Sequence, residues 1–435
     1  MNRIGVFLDN DPISMVDCSQ IPRYNPGIGG TEYLIISIAT LLSSRNNNLD
    51  ITLYTTADGV FPAGLRWIRV SNYEEAMQQA YQDGCEALIF KHCTDLILQN
   101  TFNHCPTGLK LIVWCHVFTC YWELDFYAKS NVIFRIVYVG REMYDLYRDH
   151  KSFKKATYIY NCIDLADSRI KVQHHSFEKR ANIVTYIGSI TPFKGFHLLA
   201  KAWPKVIEQV PDAQLYVIGS GRLYDHNAIL GKYGIAEQAY ERKFIHYLTD
   251  NNNQILPNVH FMGVLGIEKY NILLKTKVGV PNPSGITETF GLSAVEMQML
   301  GAVVTTKVCP GYIDTVINGK LYTRTKTLAK NIIDLLQSSG SQYEAAISYF
   351  EQHFSLDAVI SKWELWLQNG CELPSESILP NKWYRLKIIK EILRRAKQAC
   401  PLLYALPPLE RVILFVEKMI GKYGSRYIDS NASNK

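Results

Sequence analysis

The stretch Pro281-Asn-Pro-Ser-Gly-Ile-Thr-Glu288-Thr-Phe-Gly291-Leu-Ser-Ala-Val-Glu296 sets two carboxylates eight positions apart. Ahead of it, Val278-Gly-Val-Pro281 reads as a short buried strand that ends in turn residues. After Gly291, the apolar Leu292, Ala294 and Val295 recur at helical spacing. The order is therefore strand, loop, helix. Glu288 falls on the loop and Glu296 about two turns into the helix. A helix starting near Gly291 offers unpaired backbone N–H groups and a positive dipole end, which suit an anion. A carboxylate beside an anion site serves no purpose for phosphate alone. It serves a ligand that also carries hydroxyls, because carboxylates accept from sugar and ribose O–H groups. Two glutamates at one spacing also fit a plain solvated helix face.

Outward from this stretch the pattern repeats. Strand-like runs occur at Ile4–Asp9, Ile51–Thr55, Trp67–Val70, Ala87–Lys91, Leu111–His116, Ile136–Val139 and Tyr158–Tyr160. Helical stretches at Tyr33–Leu42, Tyr73–Tyr81 and Arg141–His150 separate several of them. A second series has strands at Ile183–Ile187, Gln214–Ile218, Val259–Met262, Val278–Val280 and Val303–Thr306, with helices over 196–209, 267–275, 292–300 and 326–337. Such alternation specifies an α/β fold with parallel, doubly wound sheets. Ligands of these sheets gather at the carboxyl ends of the strands. Residues 165–181 are polar and aperiodic and read as a linker, so domains are expected over 1–165 and 182–354. Residues 222–258 make a long polar connection with a helix over 236–248, a candidate lid or insertion.

Several loops at strand ends carry candidate residues. Gly27-Ile-Gly29-Gly30 precedes the first helix, and glycines there let a ligand approach the backbone. A dinucleotide fingerprint fits poorly, because about twenty residues separate strand from helix and Asp50 precedes its strand instead of ending it. His116 closes an apolar strand. Gly188-Ser189-Ile-Thr-Pro-Phe-Lys194-Gly195 places a lysine in a loop that opens a helix, a point charge suited to a diphosphate. Gly219-Ser-Gly221-Arg222 could add a second cation.

Length and composition bound the class. The chain has 435 residues, 47% hydrophobic and 20% charged, which suits two or three globular domains. No apolar run approaches about 18 residues, so no membrane-spanning helix is expected. The N-terminus runs straight into a strand without a signal-like segment. The ten cysteines lack metal-site spacing and read as reduced, mostly buried thiols of a cytoplasmic protein. The net charge of +6 belongs wholly to residues 371–435, with twelve Lys/Arg against six Asp/Glu, which argues against a nucleic-acid partner. A helix over Asp357–Gln368 is expected within a segment, 355–370, that returns to the N-terminal domain. Beyond it lies a basic amphipathic tail. There Trp383, Leu386, Ile389, Leu393 and Ala396 form one stripe, and Leu409–Ile420 reads as a second helix. The stripe would lie on an anionic membrane surface, through 381–420, or pack on the protein's own body.

Taken in order, the motifs resemble a retaining GT-B glycosyltransferase of glycosyltransferase family four, the group 1 type. The set is Gly29-Gly30, His116, Asn161-x-Ile163-Asp164, Lys194-Gly195, Phe261–Gly263 and Glu288-x7-Glu296. The resemblance covers about residues 1–369 and is strongest from 182 to 320. It implies two Rossmann-like domains facing across a cleft, the first for the acceptor and the second for the donor. It implies that Glu288 holds donor-sugar hydroxyls, that the backbone N–H groups of Phe290, Gly291 and Leu292 meet sugar or diphosphate, and that Glu296 takes the ribose. Lys194 would neutralise the diphosphate, Gly29 and Gly30 would let the backbone approach it, and His116 would lie on the acceptor side. The donor would be a UDP- or GDP-type sugar, with no metal and no further cofactor. The acceptor would be a growing or lipid-linked glycan of surface polysaccharide synthesis, met in the cytoplasm or at the inner face of the membrane. One departure stands out. Ser189 occupies the position where the family usually has Arg, and Arg222 is the candidate substitute. A non-catalytic binding or scaffold subunit of a glycan-assembly complex is the alternative. A sugar-nucleotide epimerase of the same fold is a third reading.

Overall fold

The computed structural model describes residues 1–45, 49–92, 97–173, 175–222, 228–373, 377–381 and 383–419. The chain divides into two compact units. One is built from Met1–Ile21, Leu34–Asn161 and Val359–Lys435, the other from Pro22–Tyr33 and Cys162–Ala358. The expected boundaries at 165 and 182 thus compare with a division after Asn161. A strap from the first loop, Pro22–Tyr33, joins the second unit.

The first unit holds strands β1 (Arg3–Leu8), β2 (Asp50–Thr55), β3 (Arg66–Arg69), β4 (Ala87–Lys91), β5 (Lys110–Cys115), β6 (Ile133–Tyr138) and β7 (Ala156–Tyr158). They form one sheet in the order β3-β2-β1-β4-β5-β6-β7. The second unit holds β8 (Ile183–Ile187), β9 (Gln214–Ile218), β10 (Val259–Gly263), β11 (Val278–Gly279), β12 (Val303–Lys307) and β13 (Gly319–Tyr322), in the order β10-β9-β8-β11-β12-β13. Every pairing is parallel, with Ile4 opposite Ile51 and Ala87, and Val184 opposite Leu215 and Val278. Both units are therefore Rossmann-like, with helices between the strands. The interior strands are almost continuously apolar because both faces of a parallel sheet are covered. In the second unit, helix Phe196–Gln209 buries Phe196, Leu199, Ala200, Trp203 and Val206 on one face, against Tyr186, Val217 and Phe244. Strand order reverses between β1 and β4 and between β8 and β11, and such reversals open the crevices where doubly wound sheets bind ligands.

The structure departs from the expectations in places. Residues 165–181 are not an unstructured linker. They include helix Ser168–Gln173 and belong to the second unit. Arg180 anchors the segment by donating to the carbonyls of Thr276 (2.6 Å) and Leu300 (2.8 Å). Strand β13 escaped the sequence reading because, of Gly-Lys-Leu-Tyr, only Tyr322 is buried, as suits an edge strand. Helices Ile97–Asn103, Tyr121–Lys129, Pro310–Thr315 and Tyr343–His353 were also missing from it.

The tail packs on the first unit through its lysines, which neither expectation for it foresaw. Helices Tyr384–Ala399 and Leu409–Met419 belong to the first unit. The lysines point inward. Lys387, Lys390 and Lys397 are 2–3% exposed, whereas Ile392 is 61%, Phe415 63% and Met419 71% exposed. Lys387 pairs with Glu142 and with Asp145 (3.1 Å), Lys390 with Glu410 (2.7 Å) and Lys397 with Asp149 (3.3 Å). The cause is complementary spacing. Glu142, Asp145 and Asp149 line one side of helix Arg141–Leu146 and the turn after it, and the lysines recur at helical spacing opposite them. Of the apolar stripe, Ile389 is 47% exposed and Trp383, Leu386, Leu393 and Ala396 are half-buried, so the lysine side is the more deeply packed.

Candidate active site

The second unit's reversal point lies between β8 and β11, whose chains continue into the loops of Lys194 and Glu288. After β8, Pro192–Lys194 makes a 3₁₀ turn that ends at Gly195 with φ 69°. A Cβ there would sit 2.7 Å from Ser284 Cβ and 2.8 Å from Ser284 N, so only glycine allows the two loops to touch. Ser284 Oγ closes the junction by donating to the Phe193 carbonyl at 2.5 Å. This approach brings Lys194 Nζ to 2.9 Å from Glu288 Oε2. Both side chains remain partly open to solvent.

The loop itself is tightly ordered. Asn282 Nδ2 donates to Glu288 Oε2 at 3.0 Å and to the Ile286 carbonyl at 2.9 Å. Ile286 N–H donates to Ser284 Oγ at 2.9 Å. Thr287 has φ 59°, an unfavourable conformation for a β-branched residue, and it immediately precedes Glu288. Such strain persists only where surroundings over-determine it, and it clusters at functional sites. The result is a carboxylate held by an amide and an ammonium on one oxygen.

Helix Leu292–Met299 follows. Its N-cap, Gly291, has φ 89° and itself offers no side-chain cap. The amides of its first turn have no partner within the helix and give that end a positive dipole. A Cβ on Gly291 would lie 2.6 Å from the ring of Tyr312, which is fully buried beneath it. Phe290 is buried against Phe354, ring centroids 5.0 Å apart, and its carbonyl accepts from Thr315 O–H at 3.0 Å. Further along, Glu296 Oε1 lies 2.6 Å from Lys269 Nζ, with both side chains mostly buried. Burial pushes the neighbouring Tyr270 hydroxyl well up, and the Glu296 charge adds to this.

The strap supplies the glycines. Asn25 Oδ1 accepts from the N–H groups of Gly27 and Ile28, each at 2.9 Å. Tyr33 O–H donates to the Pro22 carbonyl at 2.8 Å, and Tyr33 N–H to the Gly29 carbonyl at 3.1 Å. A Cβ on Gly30 would meet Leu292 Cδ1 at 3.5 Å, so the strap lies against the first residue of that helix. The second unit thus brings together Gly29, Gly30, Lys194, Glu288, Phe290, Gly291, Leu292 and Glu296.

Ser189 is buried. Its carbonyl accepts from Tyr186 O–H at 2.8 Å, and its hydroxyl lies 3.4 Å from that of Thr191. The loop of Arg222 runs beside it, since Ile190 N–H donates to the Ser220 carbonyl at 3.1 Å. Arg222 Nε donates to the Ala228 carbonyl at 3.0 Å, and the side chain is exposed. His116 belongs to the first unit, where it follows β5 and packs on Trp114 with ring centroids 4.4 Å apart. Burial, aided by Lys91, pushes its pKa down to about 3, so the imidazole is neutral at ordinary pH. Two residues of the arrangement, Asn282 and Lys269, escaped the sequence reading. Asn282 could have been found as an asparagine between two prolines, ahead of a loop carboxylate. Lys269 gives no such signal, since its partner is 27 positions away.

The arrangement offers a cation and a helix N-terminus for an anion, and oriented carboxylates for hydroxyls. Among the described residues, no group of three or more His, Cys, Asp or Glu could hold a metal ion.

Residues 167–353 match the model of the family described as glycosyl transferases group 1. No curated protein matches the chain. Among solved structures, HepE of Anabaena, in complex with UDP and glucose, is similar at TM-score 0.56 and 14% identity, over 85% of this chain and 100% of that one. A glycosyltransferase of Rickettsia africae is similar at TM-score 0.58 and 10% identity, over 84% and 98%. WaaG, a glycosyltransferase involved in lipopolysaccharide biosynthesis, is similar at TM-score 0.53 and 14% identity, over 83% and 98%. The two-unit fold is of the GT-B type.

Proposed function

We propose that this protein is a glycosyltransferase of the group 1, family-four kind that moves a hexose-type sugar from a nucleoside-diphosphate sugar to a glycan acceptor. The observation that carries the reading is the meeting of Lys194, Glu288 and the helix end at Gly291 on one reversal point. The match of residues 167–353 to group 1 glycosyl transferases supports it, as does the fold shared with UDP-bound HepE. As the anomeric bond breaks, charge builds on the leaving diphosphate. Lys194 and the first-turn amides stabilise it without reorganising. Glu288, steadied by Asn282, accepts from the sugar's hydroxyls, and Glu296 from the ribose. Lys194 exchanges part of its pairing with Glu288 for the diphosphate when donor binds. Retention follows from same-face attack, with the leaving phosphate taking the acceptor's proton, and no metal takes part. The donor is of UDP or GDP type.

The acceptor reading is a growing or lipid-linked glycan of surface polysaccharide synthesis, met on the inner face of the membrane. Among the described residues, no helix is long and apolar enough to cross a membrane. The tail presents Ile389, Ile392, Phe415 and Met419 outward, beside exposed Arg385, Arg395 and Arg411. An apolar face bordered by arginines suits peripheral contact with anionic lipid. A second reading, a non-catalytic subunit of a glycan-assembly complex, is favoured by the buried, uncharged Ser189 beside the donor loop.

One experiment separates them. Thermal stability is measured against UDP-, GDP-, ADP- and CMP-sugars, with and without EDTA. A donor at about 100 times its dissociation constant adds roughly 2.7 kcal/mol. A metal-independent shift with one nucleotide class, together with product formation lost in Glu288→Gln, supports the transferase. A shift without turnover on any acceptor supports the subunit reading, and no shift at all refutes both.

A further inference from the structure

The first unit contains a polar cavity of about 300 Å³ between the tail and the turn after helix Arg141–Leu146. That volume is at the lower end of the range for small-molecule sites, about 300–1,000 Å³. Its lining mixes the carboxylates of Asp125 and Asp149 with the cations Lys151, Lys397 and Arg411 and with the rings of Tyr404, Pro407 and Pro408. Asp149 is itself engaged, its Oδ2 accepting from Lys397 and from Leu409 N–H (2.8 Å).

We propose that this cavity is a saccharide-binding site, separate from the donor site. The lining excludes simpler ligands. A bare phosphate would meet the carboxylates of Asp125 and Asp149, and a bare cation would meet Lys151, Lys397 and Arg411. A hydroxylated ring suits both signs, because each hydroxyl donates and accepts. Its C–H faces find Pro407, Pro408 and the ring of Tyr404. The ring of Tyr404 carries Lys151 Nζ 5.2 Å from its centroid, and that of Tyr121 carries the Arg411 guanidinium at 5.7 Å, which sets cationic donors beside aromatic surface. His150 Nδ1 accepts from Ser152 N–H (3.1 Å), and its Nε2 lies 3.3 Å from Asp125 Oδ1, which orients that carboxylate. The site holds one or two sugar units of the acceptor glycan. That role rests on the transferase reading, whereas saccharide binding does not.

The test uses saturation-transfer NMR on the full chain with glucose, galactose, mannose, N-acetylglucosamine, rhamnose and glucuronic acid, and their common disaccharides, without donor. Binding is expected for at least one. It should weaken roughly tenfold in Lys151→Ala combined with Tyr404→Ala, for a lost hydrogen bond and ring contact. It should be unchanged in Glu288→Gln, and nucleotide-induced thermal shifts should persist in the double variant. No saturation from any sugar overturns the proposal. So does saturation that survives the double variant or vanishes in Glu288→Gln, which would place the sugar in the donor site. Loss of nucleotide shifts in every variant and the parent, with sugar binding intact, would refute the transferase reading alone.

Discussion

Replacing Lys390 by Met strands a buried carboxylate, and the structure sets the size of the effect. Lys390 and Glu410 are each 2% exposed at the side chain and 2.7 Å apart. Lys390 also donates to the Leu146 carbonyl at 2.9 Å. Glu410 Oε1 already lacks a hydrogen-bond partner, so no second donor stands ready. Breaking a buried pair from one side costs about 3–5 kcal/mol, chiefly because the remaining charge stays desolvated. Removing both charges should be nearly neutral for the same reason. Lys390→Met is therefore expected to lose about 3–5 kcal/mol, and Lys390→Met with Glu410→Leu to lie within about 1 kcal/mol of the parent. Urea unfolding followed by tryptophan fluorescence reads this, since Trp114 and Trp363 pack together in the first unit with ring centroids 5.1 Å apart. A single variant within about 1 kcal/mol of the parent, or a double variant as unstable as the single, would refute the claim that these charges are inward and paired.

Two further outcomes are expected. Gly291→Ala should destabilise the second unit by roughly 2–4 kcal/mol, from the positive φ and the overlap with Tyr312, and should abolish nucleotide-induced thermal shifts; urea midpoints and those shifts check it. His116 is neutral in the fold, so its unfolded form binds a proton that the folded form refuses; stability is full above about pH 6.5 and falls as pH drops toward 3, and His116→Gln should flatten that fall in urea midpoints taken at pH 7.5 and 5.

The fold was legible because parallel strands announce themselves. Ala87–Lys91, Ile183–Ile187 and Gln214–Ile218 have the bounds their apolar runs suggest, and helix 196–209 follows its own stripe. The loop of Glu288 was legible because turn residues, a carboxylate and a helix start are local signals. What stayed hidden depends on distant partners. The Lys269–Glu296 pair, the Asn282 contact and the Arg180 anchor join residues that no short window connects. The tail misled for a physical reason. Lysines on a helix are ordinarily solvated, and distant carboxylates make their burial favourable: Glu142, Asp145 and Asp149, more than 240 positions earlier, for Lys387 and Lys397, and Glu410 of the next helix for Lys390.

The strap Pro22–Tyr33 and the tail have a consequence for how the protein is made. Neither unit is one contiguous length of chain. The ribosome delivers β1 before the other strands, yet the Met1 amino group donates to the Leu367 carbonyl at 3.1 Å, 366 positions later. The first unit therefore cannot complete itself until the second has been synthesised, and the second needs a strap made before either sheet is finished. Domain-by-domain maturation from the N-terminus, the usual habit of multidomain chains, is closed to it. Residues 162–358 expressed alone would lack the glycines that lie against Leu292, and a lasting early termination after Ala358 would leave both β1 and the buried carboxylates of 142–149 waiting for residues that never arrive.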